Sequence, residues 1–168
     1  MVLSNEDLQS QVEALLGANI LHSEINFDIL SIEVAADKIH SIIAQLQKDE
    51  KLRFEFLTIL GGVHYPEQIN REFAVVYHVH SWKHKIRLRL KAFLPLSNPS
   101  IDSITDLYPC ANWMERETYD FYGISFNNHP DLRRILNEDS MDYFPLRKEY
   151  ALEDATREDK DDRFFGRF

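Results

Sequence analysis

The stretch KIRLRLKAFL, Lys85 to Leu94, restricts the fold more than any other part of the chain. Ile86, Leu88, Leu90 and Ala92 alternate with Lys85, Arg87, Arg89 and Lys91. A period of two belongs to an extended strand, whose side chains point to opposite faces in turn. One face must therefore be buried while the other stays with its charges, so the chain needs a sheet with an apolar side and something to cover it. The basic face admits two readings: phosphate binding, or pairing with carboxylates of a neighbouring strand or of a partner. The formal net charge of the chain is -9, which favours carboxylates and argues against a general nucleic-acid binder.

The other elements follow from period and punctuation. EFAVVYHVH (72–80) reads as a second strand, and FEFLTIL (54–60), apolar on both faces, as a central one. GGVHYPEQ between them reads as a loop, with Gly61, Gly62 and Pro66 as breakers. ILHSEI (20–25) and ILSIEV (29–34) form a hairpin about Asn26 and Asp28. Ser4 with Asp7 opens a helix with Leu8, Val12, Leu15 and Leu16 on one face, closed by Gly17. Asp37 is placed to cap a second helix with the stripe Ile39, Ile42, Ile43 and Leu46. ANWMERETYDFYG is a third, closed by Gly123. This order predicts an α+β fold, a small mixed or antiparallel sheet with helices packed on one face. Beyond Gly123 no apolar period persists. The expected organisation is an α+β domain over 1–124 and an extended partner-binding tail over 125–168.

Composition removes several chemistries. The single cysteine, Cys110, excludes an intrachain disulfide and an iron–sulfur cluster held by this chain alone. It reads as a half-buried small hydrophobe ahead of the third helix rather than a nucleophile. No run of about 18 apolar residues exists to span a membrane, and the opening MVLSNEDLQSQVEALL carries no basic stretch followed by an apolar run, so no secretion signal is expected. His78 and His80 share one strand face, a zinc-compatible spacing, but no third ligand follows at a helical spacing and His84 lies past the turn. They read as a polar face. Glu115 and Glu117 lie two apart, on different helix faces, and do not form an acid/base pair; Arg116 and Asp120, four apart, can pair.

The unusual feature is the third helix itself, where Glu115, Arg116, Glu117 and Asp120 are threaded among Trp113, Tyr119, Phe121 and Tyr122. Arginines and rings recur beyond it at Arg133, Arg134, Tyr143, Phe144, Arg147, Phe164, Phe165 and Phe168, residue types enriched in interface hot spots. The acidic cluster Glu158, Asp159, Asp161 and Asp162 interrupts them. ERETYDFYGISFNNHPDLRRIL resembles the signature of the 30 kDa subunit family of respiratory complex I, the bacterial proton-pumping NADH:quinone oxidoreductase. The signature elements are Glu115, Arg116, Glu117, Asp120, Phe121, Tyr122, Gly123, His129, Pro130, Leu132, Arg133, Arg134, Ile135 and Leu136. FPLRKEY, with Phe144, Pro145, Arg147 and Tyr150, is similar to the family's second stretch, and VVYHVHSWKHKIRLRLK to its paired strands. The likeness runs from Phe54 to Phe168.

The resemblance implies a non-redox scaffold of the peripheral arm, with no catalytic residue, cofactor or metal of its own. The complex would pass electrons from NADH through FMN and iron–sulfur clusters on other subunits to quinone. The implied partners are the large quinone-site subunit and small cluster-bearing subunits, with the signature residues as subunit interface. The implied location is the cytoplasmic side of the cell inner membrane, reached only through the complex. A chain ending at Phe168, and an N-terminus unlike a mitochondrial transit segment, lead to the expectation of a separate bacterial polypeptide. Equivalent subunits of chloroplast-type or membrane-hydrogenase-type complexes remain open, as does a free-standing protein-binding adaptor.

Overall fold

Ser4 opens the first helix by a reciprocal pair of bonds. Its Oγ accepts from the Asp7 amide at 3.1 Å and its hydroxyl donates to the Asp7 carboxylate at 2.9 Å. In this computed structural model, which describes residues 3–150, α1 spans Asn5–Leu16 and buries Leu8, Val12 and Leu16. Gly17 ends it at a φ of 53°. The hairpin of β1 (Ile20–Asn26) and β2 (Ile29–Val34) follows. Its two turn residues, Phe27 and Asp28, both have positive φ, the twist a two-residue hairpin needs. α2 (Ile39–Lys48) buries Ile39, Ile42, Ile43 and Leu46 as its stripe predicts. Asp37 does not cap it. That residue lies inside a short 3-10 turn, Ala36–Lys38, which leads directly into the helix, and no side chain caps α2.

β3 (Phe56–His64), β4 (Phe73–Ser81) and β5 (Ile86–Leu94) complete a five-stranded mixed sheet in the order β1-β2-β5-β4-β3. Neighbours are antiparallel except β2 and β5, which run parallel with Leu30 opposite Leu88 and Val34 opposite Ala92. Leu88, Leu90, Ala92 and Leu94 of β5 align with Val79, Tyr77, Val75 and Phe73 of β4. Together with Leu30, Ile32 and Val34 of β2 and the buried residues of α1 and α2 they form one core cluster. The alternation in 85–94 thus has the predicted outcome, with the helices on the apolar face.

Two strand readings need correction. β3 lies at the edge of the sheet, not in its centre, and it runs through Gly61 and Gly62 rather than ending before them. Leu57 and Leu60 face the core, but Phe56 and Ile59 stand 43% and 53% exposed on the other side. An apolar run counts apolar residues on both faces without saying whether this chain covers both. Gly62 belongs in the strand because α3 (Ala111–Tyr122) crosses it: a Cβ there would sit 2.7 Å from the Tyr122 ring and 3.0 Å from Thr118 Cγ2. A small parallel pair, β6 (Ser100–Asp102) and β7 (Ser125–Asn127), brackets α3. The chain therefore does not leave the domain at residue 124. β7 begins at the next residue and buries Phe126.

Candidate functional site

α3 buries a polar face. Ala111, Glu115, Arg116, Thr118 and Asp120 are its buried residues, so the helix is held by specific pairing rather than by an apolar stripe alone. Gly123 closes it in the left-handed conformation at a φ of 72°, and a Cβ there would lie 2.5 Å from the Phe144 ring. Both facts make glycine the fitting residue at that position.

What α3 holds is the following segment, residues 128–150. The Asp120 carboxylate accepts from the backbone amides of Ile135, Leu136 and Asn137 at 3.1, 2.8 and 2.9 Å. It also accepts from Arg134 Nη1 at 2.7 Å and Asn137 Nδ2 at 3.1 Å. Burial by itself would raise this carboxyl; the bonds from Asn137, Leu136, Arg134 and Ile135 outweigh it and hold the group well below the usual carboxylate range. Arg134 continues the chain of contacts, donating through Nη2 to the Met141 and Tyr143 carbonyls at 2.8 and 3.0 Å.

Arg116 does not pair with Asp120. It reaches over the segment and donates to the carbonyls of Arg133 and Arg134 at 3.2 and 3.1 Å. Arg147 donates to the Tyr122 carbonyl at 2.8 Å, at the C-terminal end of α3, and lies between the rings of Phe73 and Phe144. A cation there complements the negative end of the helix. Phe144 meets Tyr119 edge-on, the Leu146 amide donates to the Phe121 carbonyl, and the Lys148 amide donates to His64 Nδ1 at 3.0 Å. Residues 128–150 thus form no helix or strand, run through a series of turns and are bound to their own domain, mostly by polar bonds.

Glu115 faces the other way, into the base of β6 and β7. Its Oε1 accepts from the Ile104 amide at 2.8 Å. Burial pushes its carboxyl up to about 7, against the lowering effect of the bonds from Ile104 and Ser103, and Asp106 adds to the rise. Its Oε2 lies 4.0 Å from His129 Nε2, with both side chains fully buried. His129 accepts from the Asp131 amide at Nδ1 and meets the Asn112 carbonyl through Nε2. The first contact requires a bare Nδ1, so the neutral ring carries its proton on Nε2. Glu117 is exposed on the opposite side, so the two glutamates share no site.

The candidate interface residues thus divide. Glu115, Arg116 and Asp120 are buried within this chain, as is the side chain of His129; Phe121, Tyr122, Gly123, Arg134, Phe144, Pro145 and Arg147 are half-buried; Glu117, Pro130, Arg133 and Tyr150 are exposed. The charges expected to meet a partner's charges are largely consumed at home. Sequence reasoning missed the partners they use, the amides of 135–137 and the carbonyls of 133, 134, 141 and 143. Every residue type but proline carries both groups, so no residue signal marks them. It also passed over Leu146, which with Trp113, Leu136 and Tyr143 lines the outside of the joint at 39%, 61%, 65% and 39% exposure. Phe164, Phe165, Phe168 and the acidic cluster fall outside the described residues.

Elsewhere, His78 accepts from Arg89 Nε at 3.0 Å, and burial with the Arg89 and Arg87 charges lowers its affinity for a proton. His80 stands edge-on to Trp82, and His84 reaches the Lys51 carbonyl. Among the described residues no group of three His, Cys, Asp or Glu side chains is arranged to hold a metal, and no helix is long and apolar enough to cross a membrane. Cys110 is exposed, not half-buried: it sits at the mouth of α3 with only its Sγ turned toward the Leu57 carbonyl, 3.9 Å away.

The family described as respiratory-chain NADH dehydrogenase, 30 Kd subunit, matches residues 32–156, starting well ahead of Phe54. The NADH-quinone oxidoreductase C subunit of a Nocardioides species is 49% identical over 107 residues, 64% of this chain and 43% of that protein. Its counterpart in Streptomyces coelicolor is 42% identical over 73% of this chain and 49% of that protein, and the one in Acidothermus cellulolyticus 38% over 79% and 69%. The chain spans about half the length of the first two. A solved structure, "Nqo5 of the trypsin-resistant fragment (1-134) in P63 form", superposes with a TM-score of 0.63 at 29% identity, over 74% of this chain and 98% of that one.

Proposed function

Since the chain belongs to the respiratory-chain NADH dehydrogenase 30 Kd subunit family, we propose that it is a non-redox scaffold in the peripheral arm of a proton-translocating NADH:quinone oxidoreductase. In this reading FMN, iron–sulfur clusters, NADH and quinone are handled by other subunits. A single cysteine, Cys110, agrees with a chain that carries no cluster alone. The partners are the large quinone-site subunit and the small cluster-bearing subunits, and the chain reaches the cytoplasmic face of the membrane through them.

The observation that carries this reading is the joint between α3 and residues 128–150. Its buried ions make a segment without an apolar core adopt one path. The path then presents Arg133, Leu136, Tyr143 and Tyr150 outward, beside Trp113 and Glu117 of α3. Large exposed side chains on a prefixed frame suit docking, because less conformational freedom is lost on binding. Glu115, Arg116, Asp120 and Arg134 act on the interface by positioning it.

The test uses the tagged full chain recovered from detergent-solubilised native membranes. Trp113→Ala combined with Leu136→Ala should leave the chain folded by circular dichroism while the yield of co-purifying subunits and NADH:quinone activity fall together. Normal co-purification with a loss confined to turnover would oppose the scaffold role. Partners lacking the NADH-oxidising subunits would move the chain to a relative with a different electron donor.

A further inference from the structure

The two sides of the sheet are treated differently. The core cluster, with α1 and α2, lies on the side of Leu88, Leu90 and Ala92, and α3 crosses the same side at Gly62. The opposite side carries Phe56, Ile59, Gly61 and Val63 of β3, Val76 and His78 of β4, and Arg87, Arg89 and Lys91 of β5. None of these residues belongs to the core cluster. A hollow of about 400 Å³ lies between Ile59, Val63, Val76, His78 and Arg89, floored by Gly61.

Gly61 is the telling residue. A strand interior is a poor place for glycine, which has no side chain to pack and the most freedom to lose. Gly62 next to it is explained by Tyr122, but a Cβ built on Gly61 meets nothing within 4 Å. Nor does Gly61 have a positive φ. Nothing within the described chain requires it, and a bare strand position often marks close approach by another backbone. β3 is also a sheet edge, whose outer backbone groups are open to pairing.

The charge of the face selects the occupant. Its carboxylates, Glu24 and Glu33, are engaged by Lys91 at 3.2 Å and Arg71 at 2.8 Å. Arg87 and Arg89 have no carboxylate partner among the described residues; Arg89 uses only its Nε, on neutral His78. We infer that the open face docks an extended acidic segment of another subunit, laid over Gly61 between β3 and β4, with its carboxylates on Arg87 and Arg89. This rests on the chain's working inside an assembly. It adds a second contact surface, on the far side of the sheet from the α3 joint.

The experiment places a photo-crosslinking residue, p-benzoylphenylalanine, at Ile59 of the full chain in its native complex, with a second version carrying it at Trp113. Mass spectrometry identifies the joined peptides. From position 59 we expect an Asp- and Glu-rich peptide of another subunit. Gly61→Val should leave the melting temperature of the isolated full chain unchanged or higher and cut that crosslink by about tenfold, as blocking the centre of a contact does. Arg89→Glu should do the same to the crosslink. Joining only to this chain's own residues 151–168, to a second copy of the chain or to a peptide without carboxylates overturns the inference. Crosslinks at 113 with none at 59 overturn it too, while leaving the α3 interface standing. Silence at both positions counts against the assembly reading itself.

Discussion

Replacing Asp120 with alanine should release residues 134–147 and leave the sheet intact. The carboxylate is fully buried and all its partners outside α3 lie in residues 134–137. Removing it strands three amide donors and leaves the Arg134 guanidinium, itself only 10% exposed, without its counter-charge. Breaking one side of a buried pair costs about 3–5 kcal/mol. Arg134 keeps three carbonyl contacts, to Asp120, Met141 and Tyr143, so the lower end, about 3 kcal/mol, is the fitting figure. At about 1.4 kcal/mol per decade this corresponds to roughly a hundredfold in the opening equilibrium of the segment. The assay is hydrogen exchange of the full chain read by mass spectrometry. Peptides covering Ile135 to Asn137 should exchange about a hundredfold faster, while those covering Val75 to Val79 and Leu88 to Ala92 keep their rates. Equal acceleration everywhere would mean that the segment and the sheet are one cooperative unit. Unchanged exchange at 135–137 would mean that the carboxylate does not hold it. Either result refutes the reasoning.

Other perturbations separate the contributions. Glu115 has its carboxyl raised from 4.5 to about 7, so between those values the folded chain holds a proton that the unfolded chain has lost. Stability then falls as pH rises through this window, by up to about 3 kcal/mol; Glu115→Gln should flatten the slope in thermal melts at pH 4.5 to 8, and an unchanged slope would place its origin elsewhere. Gly62→Ala should destabilise by about 1–3 kcal/mol through contact with Tyr122 and Thr118, whereas Gly61→Ala should be neutral or stabilising in the same denaturant titration. Arg116→Ala removes two bonds to the 133 and 134 carbonyls and should cost about 1–3 kcal/mol. It should therefore speed tryptic cleavage at Arg133 and Arg134 even in the isolated chain.

Legibility follows the kind of force involved. β5 can be read because burial of Leu88, Leu90 and Ala92 against exposure of Arg87 leaves a period of two in the residue types. α2 can be read for the same reason at 3.6. The charged face of α3 is visible as a set of residues, and Gly123 as its end. The pairing is not visible, because Arg116 and Asp120 choose backbone partners some fifteen to eighteen residues on over each other one turn away. Residues 128–150 look like a free tail for a related cause: they are tied down by amides and carbonyls, which leave no apolar period. β3 reads as central because Phe56 and Ile59 are apolar, and a residue type does not say which molecule will cover it.

The parallel pairing of β2 with β5 also sets an order of events during synthesis. Leu30 faces Leu88, and all of α2, β3 and β4 is made between them. A ribosome therefore releases the β1–β2 hairpin with the β5-facing edge of β2 unpaired, and that edge waits until β5 has emerged to close the sheet. A strand pairing of such long range is a slow step, and a half-made chain with an unpaired strand edge is prone to aggregate. The nascent protein is most in need of a chaperone before Leu94 leaves the exit tunnel.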